Sequence, residues 1–279
     1  MFVCRESINV NAMTICKNIT SGLSILILFL TVFSCDVLNG ALDDIQLDEL
    51  TETEVIEGLK EALVVGTDTS TNVLGSVNGY LKDEAVKIFL PEEAQPILDN
   101  MAKIGLTRVI QPLIDQTIES MNRAAEESAA LDSTKVIFKD AITDMTIADG
   151  WAILNGADTA ATTYLKDKTY TRLLNNFSLI ISPVLNKPII SGVDLSTEEL
   201  YASLVTTYNT GVEVYNLTQI LNPSNQLDLI ESTTLAEHAT GKALDGLFLK
   251  VSEEEKAIRL DPIARVTDIL ERVFGSLDD

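Results

Sequence analysis

Apolar side chains recur at three- and four-residue intervals along most of this chain from Thr51 onward, the spacing that lines one face of an α-helix. Thr51 and Glu54 form a capping-box pair, and Val55, Ile56, Leu59, Ala62 and Leu63 follow at helical spacing until Gly66, which is expected to end the first helix. After a turn signal at Asn78-Gly79, residues 85–90 read as extended or loop-like, and Pro91 opens a helix ending near Gly105. From Thr107 the series Val109, Ile110, Leu113, Ile114, Ile118, Met121 and Ala125 predicts a long amphipathic helix to about residue 130. Asp132 is the expected cap of the next, and Thr146 with Asp149 repeats the capping box before a short helix stopped at Asn155-Gly156. Asp158 and Thr169 are read as the starts of two more helices.

Residues 182–195, with Pro183, Pro188 and Gly192, read as a linker between two helical layers. Beyond it Ser196 with Glu199 caps a helix through Tyr208, and Asn222-Pro223 breaks the chain. A long helix then carries Leu244, Leu247, Phe248 and Val251 to Arg259. Asp261-Pro262, a cap followed by proline, opens a last helix ending at Gly275. No convincing alternating strand and no repeat of fixed period occurs. The expected fold class is all-α, a single multi-helix bundle-like domain over residues 51–276, and the 46% hydrophobic content suffices to fill its core.

Ahead of that domain the pattern changes. Residues 18–34 carry no charge, with the densest apolar stretch at residues 25–30, Lys17 just before it and Cys35 just after. A basic end, an apolar core and a small residue at the cut make a secretory signal. Ser34 and Val32, one and three residues before Cys35, fit a lipoprotein signal, which makes Cys35 the expected lipidation site. Residues 1–35 are thus read as a signal, with translation starting at Met13 as the more compact alternative, and residues 36–50 as a tether. Two other readings stand beside this one: an uncleaved helix, since the uncharged span is near the lower limit for crossing a bilayer, and ordinary cleavage past Cys35 to give a soluble periplasmic protein. Lipid attachment implies export and a membrane partner through the anchor, in the bacterial envelope. A lipoprotein cysteine bears about three acyl chains, where one chain alone holds only marginally.

Charge narrows the partners. The full chain has a formal net charge of −22. Removing residues 1–35 takes away Arg5, Lys17 and Glu6 and leaves 18 basic against 41 acidic side chains, a net charge of −23. Such a surface repels phosphate backbones and argues against nucleic-acid binding.

Chemistry is sparse. One histidine, His238, is present, with no Gly-x-Ser-x-Gly elbow to accompany it. Neither paired Glu-x-x-His segments, nor a calcium loop, nor a phosphate-binding glycine loop occurs, so no metal or cofactor is expected. Two polar clusters interrupt apolar helix patterns: Asn122, Arg123, Glu126 and Glu127, and Glu254, Glu255 and Arg259. Spacing of four residues sets Asn122 against Glu126, Arg123 against Glu127, and Glu255 against Arg259. They are read first as solvated faces or polar pins between helices, and second as a shared cleft. In a shared cleft, Glu126 or Glu127 with Glu254 or Glu255 would supply the two carboxylates of a glycan-acting enzyme.

Read with their surroundings, these clusters resemble the bacterial family known as domain of unknown function 4197. The resemblance rests on Gly58-Leu59-Lys60-Glu61-Ala62-Leu63, Leu90-Pro91-Glu92 and Asn122-Arg123-Ala124-Ala125-Glu126. It continues through Phe138-x-Asp140-Ala141-Ile142-x-x-Met145-Thr146, Ile153-Leu154-x-Gly156 and Ala160-Ala161-Thr162-x-Tyr164. It closes with Lys242-Ala243-Leu244-Asp245-Gly246-Leu247-Phe248, Glu253-Glu254-Glu255-x-x-Ile258-Arg259-x-Asp261-Pro262 and Val273-Phe274-Gly275. It implies a helical, exported, often lipidated protein with no assigned activity, so no catalytic residue is carried over. A noncatalytic binding or structural domain is the leading expectation.

Overall fold

The computed structural model describes residues 50–190, 193–231 and 234–275. Cys35 and the rest of the predicted signal and tether lie outside them. The described residues form nine α-helices: α1 (Glu52–Leu74), α2 (Gln95–Asn100), α3 (Thr107–Ala129), α4 (Asp132–Thr143), α5 (Ile147–Leu154), α6 (Ala160–Leu185), α7 (Thr197–Thr218), α8 (Leu235–Leu260) and α9 (Asp268–Gly275). Among the described residues, strand is confined to a short antiparallel ribbon, β1 (Pro188–Ile190) with β2 (Val193–Ser196), in which Pro188 faces Ser196. The fold is all-α.

The long helix α8 is the hub. It packs on α6, α1 and α3, while α6 also meets α3 and α4, and α7 lies along α3. Leu244, Leu247, Phe248 and Val251 of α8 are buried against Leu165, Leu173, Phe177 and Ile181 of α6 and Leu59 and Leu63 of α1, within one continuous core. Phe248 meets Phe138 of α4 edge-on at 6.1 Å between centroids and stacks on Tyr170 at 6.3 Å. At Gly58 a Cβ would lie 2.6 Å from Val273 Cγ2, so only glycine lets α9 close onto α1.

All three capping boxes expected from sequence form. Thr51, Thr146 and Ser196 each accept the N–H three residues on, and Glu54, Asp149 and Glu199 each reach back to the cap N–H. Those backbone N–H bonds hold the three carboxyls below their ordinary values of 4.5 for glutamate and 3.8 for aspartate. The folded chain therefore binds fewer protons than the unfolded chain just below pH 4.5, and stability falls as pH drops through that window. Urea unfolding followed from about pH 6 to about pH 3 is expected to show this acid slope. Replacing Glu54 and Glu199 by glutamine and Asp149 by asparagine, which removes the titrating carboxyls, will flatten it.

Several helix boundaries differ from the pattern reading, where tertiary packing overrides a local signal. Asp261-Pro262 opens only a 3-10 turn, Pro262–Ala264, and the last helix starts at Asp268. Pro91 likewise precedes a 3-10 turn, Glu92–Ala94, and α2 after it ends at Asn100, not near Gly105. Gly66 lies inside α1, not at its end. It is buried, as are Thr67, Ser70 and Thr71, and those three hydroxyls return to the carbonyls of Leu63, Gly66 and Thr67 at 2.7 to 2.8 Å. Asp132 is the first residue of α4 and makes no cap bond. Thr169 sits buried within α6 and gives its hydroxyl to Leu165 O, so one helix stands where two were expected. Pro183 is carried inside α6, which runs on to Leu185, and the expected linker shrinks to the ribbon.

Candidate functional site

The first polar cluster lies on α3 and fastens the segment between α1 and α2. Asn122 is fully buried. Its Oδ1 accepts from Ile88 N at 2.9 Å and its Nδ2 donates to Ile88 O at 2.9 Å and to Ile118 O at 2.8 Å. A primary amide has the donor and acceptor geometry of a neighbouring strand, so it satisfies an extended backbone that has no strand beside it. One turn on, Glu126 is also buried. It accepts from Arg123 Nη1 at 2.9 Å and from Leu81 N at 3.4 Å. Arg123 Nη2 reaches Asn78 Oδ1 at 3.2 Å, and Asn78 is the one non-glycine residue among those described with a positive φ, 68°. At the neighbouring Gly79 a Cβ would lie 2.4 Å from the carbonyl oxygens of Val73 and Leu74, which explains why the turn is Asn-Gly. The same segment is tied to α8 by Tyr80, whose hydroxyl donates to Ala243 O at 2.8 Å. Burial pushes that phenol far above its usual range, with the charge of Glu126 adding to the effect.

The second cluster closes a different junction. Glu255, on α8, points at the start of α6: one carboxylate oxygen accepts from Ala161 N at 2.9 Å, the other from Thr162 N and Thr162 Oγ1 at 2.8 Å each. The first amides of a helix have no partner within it, and an anion at that end is favoured by the helix dipole. Thr159, the residue before α6, makes no cap bond, and the carboxylate from across the fold takes over that duty. Arg259, one turn along α8, pairs with Glu255 Oε1 through Nε at 3.1 Å and Nη2 at 3.0 Å. It also donates from Nη2 to Ile153 O in the last turn of α5 at 2.9 Å and lies over the Phe274 ring. Both side chains of the pair are about nine-tenths buried. Arg265 then donates to Ile258 O and Arg259 O, at 3.1 Å each, and so covers the C-terminal carbonyls of α8.

The two clusters share no hydrogen bond or ion pair among these contacts; each serves its own junction. Glu127 is exposed. Glu254 is half-buried, and its carboxyl is raised above the usual range by burial and then by the charge of Glu253. Its ionisation therefore opposes folding slightly. The cavity that Glu255 and Arg259 help to line, with Leu59, Leu63 and Phe274, holds about 20 Å³, the room of a single water. His238 stands elsewhere, with Nε2 donating to Phe89 O at 2.8 Å. It borders an open groove of about 570 Å³ between residues 84–95 and α8, whose lining includes Lys242 and Asp245 but no hydroxyl or thiol. Among the described residues no group of three or more histidine, cysteine or acidic side chains could hold a metal ion, and no helix is long and apolar enough to cross a membrane.

The model of one protein family, described as "Protein of unknown function (DUF4197)", matches residues 49–275. The chain belongs to this family. No curated protein and no solved structure matches it. Asn122, Glu126, Glu255 and Arg259 are among the residues that carry the family resemblance, and the structure gives each of them a buried fastening role. Pattern reasoning missed three further members of the same system, Asn209, Asn216 and Arg265. The asparagines repeat the Asn122 device. Asn209 exchanges two bonds with the backbone of Ile230, and Asn216 two with that of Leu227, all at 2.9 to 3.0 Å. Their spacing of seven residues on one face of α7 was the available signal.

Proposed function

We propose that this DUF4197 protein is a lipid-anchored envelope protein whose helical domain binds a partner or bears structure without catalysing a reaction. One observation carries the noncatalytic part: of the four carboxylates that pattern reasoning offered as an acid and base, Glu126 and Glu255 are filled with internal donors, while Glu127 is exposed and Glu254 half-buried. Glu255 accepts from two backbone amides, a hydroxyl and a guanidinium. Glycoside cleavage requires two carboxyl groups about 5 to 9.5 Å apart across a sugar-sized cleft, whereas the space beside Glu255 holds about 20 Å³. The grooves open to a partner lie beside α8 at His238 and beside α7 at Gly211.

The anchor rests on the uncharged residues 18–34 followed by Cys35. Mass spectrometry of the mature protein from membranes is expected to give a chain beginning at Cys35 with its mass raised by acyl chains. A chain beginning beyond Cys35, or one retaining residues 13–34, would sink the anchoring reading.

A further inference from the structure

Buried hydroxyls and amides in folded proteins have hydrogen-bond partners as a rule. Thr197, the first residue of α7, departs from it. It is 0% exposed, and its Oγ1 has no hydrogen-bond partner. Its N–H, like that of Glu198, meets no acceptor among the described residues, because the Ser196 hydroxyl takes Glu199 N instead. Two helix-end amides and a hydroxyl are thus left as donors at one place. The acids of that helix end are engaged elsewhere: Glu199 reaches back to Ser196 N at 2.7 Å, and Glu198 crosses to the amides of Leu235 and Ala236 at the start of α8, at 3.3 and 2.9 Å.

Thr197 lines a pocket of about 320 Å³ where α3, the end of α6 and the start of α7 meet, together with Gln116, Glu119, Ser120 and Arg123 of α3 and Val184 of α6. Gln116, Ser120 and Arg123 are four and three residues apart, so α3 turns one face to the pocket. Gln116 and Ser120 are half-buried, and their side chains make no hydrogen bond among the described residues. Arg123 gives N–H groups to Glu126 and Asn78 and stands 3.5 Å from Glu119; a guanidinium has five, so others stay open.

We propose that this pocket binds the carboxylate of a small organic acid. The unmet groups of Thr197 and Glu198 are all donors, which selects an oxygen acceptor. The positive end of a 22-residue helix, with Arg123 beside it, selects a negative one. Glu119, whose side chain is 58% exposed, and the buried Glu126 flank Arg123 and hold the favoured charge to one, so a carboxylate fits better than a phosphate. Val184 is the one apolar wall and meets the carbon skeleton.

Acetate is the probe, added to the full chain against chloride at equal ionic strength. It is expected to shift the amide resonances of Thr197 and Glu198 saturably and to raise the melting temperature by about 2 °C or more. Thr197→Val will act in two opposite directions. It removes an unmet buried hydroxyl at nearly constant shape, so the protein in chloride melts higher, while the response to acetate weakens about fivefold. Ser120→Ala, at a half-buried position, will weaken the acetate response and leave melting in chloride unchanged. Amides that ignore acetate, or a stronger response to phosphate than to acetate, would overturn the proposal. So would a Thr197→Val variant that responds like the unaltered protein, or one that melts lower in chloride, since its hydroxyl would then have an internal partner. None of these results depends on Cys35, so the site and the anchor stand or fall separately.

Discussion

Exchanging Glu255 for glutamine will lower the unfolding free energy by about 3–5 kcal/mol, the cost of leaving one partner of a buried ion pair uncompensated. For a domain of this length that is a fall in melting temperature of roughly 10 °C. Arg259 keeps its bond to Ile153 O but loses its anion, and both groups are buried on all sides. Glutamine is nearly the same size, so packing is not the cause. Its amide offers one acceptor oxygen where five donor atoms from Ala161, Thr162 and Arg259 converge, and its NH₂ must face some of them. Urea unfolding at neutral pH measures the loss. Adding Arg259→Gln to the first change will cost less than the two single losses summed, because the second substitution removes the unpaired charge. Unchanged stability in Glu255→Gln would mean that the carboxylate is not a fastener.

The second large effect is expected at Asn122. Alanine there strips both bonds from Ile88 and leaves a buried N–H and a buried C=O without partners, at about 1–3 kcal/mol each, so the total loss is about 3 kcal/mol. Water has little access, since Ile88 and Asn122 are almost completely buried. The damage will be local before it is global. Residues 78–90 depend on Asn122, Glu126 and Tyr80 for their place, and hydrogen exchange in that segment will rise while exchange in α6 stays slow. Asn122→Asp tests the amide specifically. It keeps the acceptor for Ile88 N, loses the donor for Ile88 O, and puts a negative charge beside a carbonyl, so it is expected to be no better than alanine.

How much of this was legible without a structure follows from the range of each signal. Thr51/Glu54, Thr146/Asp149 and Ser196/Glu199 are closed within four residues, and all three boxes stand where the sequence put them. The class and the single helical domain were equally readable, because period-3.6 patterning reports the core face directly. Gly66 misled for the opposite reason. Its place inside α1 is set by burial against α8, almost two hundred residues away, where it faces Glu254. Asp158 was expected to start α6, yet the amides of Ala161 and Thr162 are met by Glu255 from a distant helix, which no local pattern can announce.

The polar clusters were visible as interruptions of apolar faces, and their role as pins between elements was one of two readings. What was not visible is that each cluster has a separate task. Residue type and spacing place Glu255 and Arg259 one turn apart, but not the helix end they face. The asparagine clamps were missed for a related reason: an amide in a helix is unremarkable until an extended backbone lies against it.

The central claim is that the buried acids of this fold hold helices together, and the amides of Ala161 and Thr162 test it in the unaltered protein. As first-turn amides they have no acceptor within α6. Native-state hydrogen exchange is predicted to find them protected to the level of global unfolding, because Glu255 holds both. Exchange at the rate of a frayed helix end would contradict the account and return Glu255 to the list of carboxylates free for chemistry.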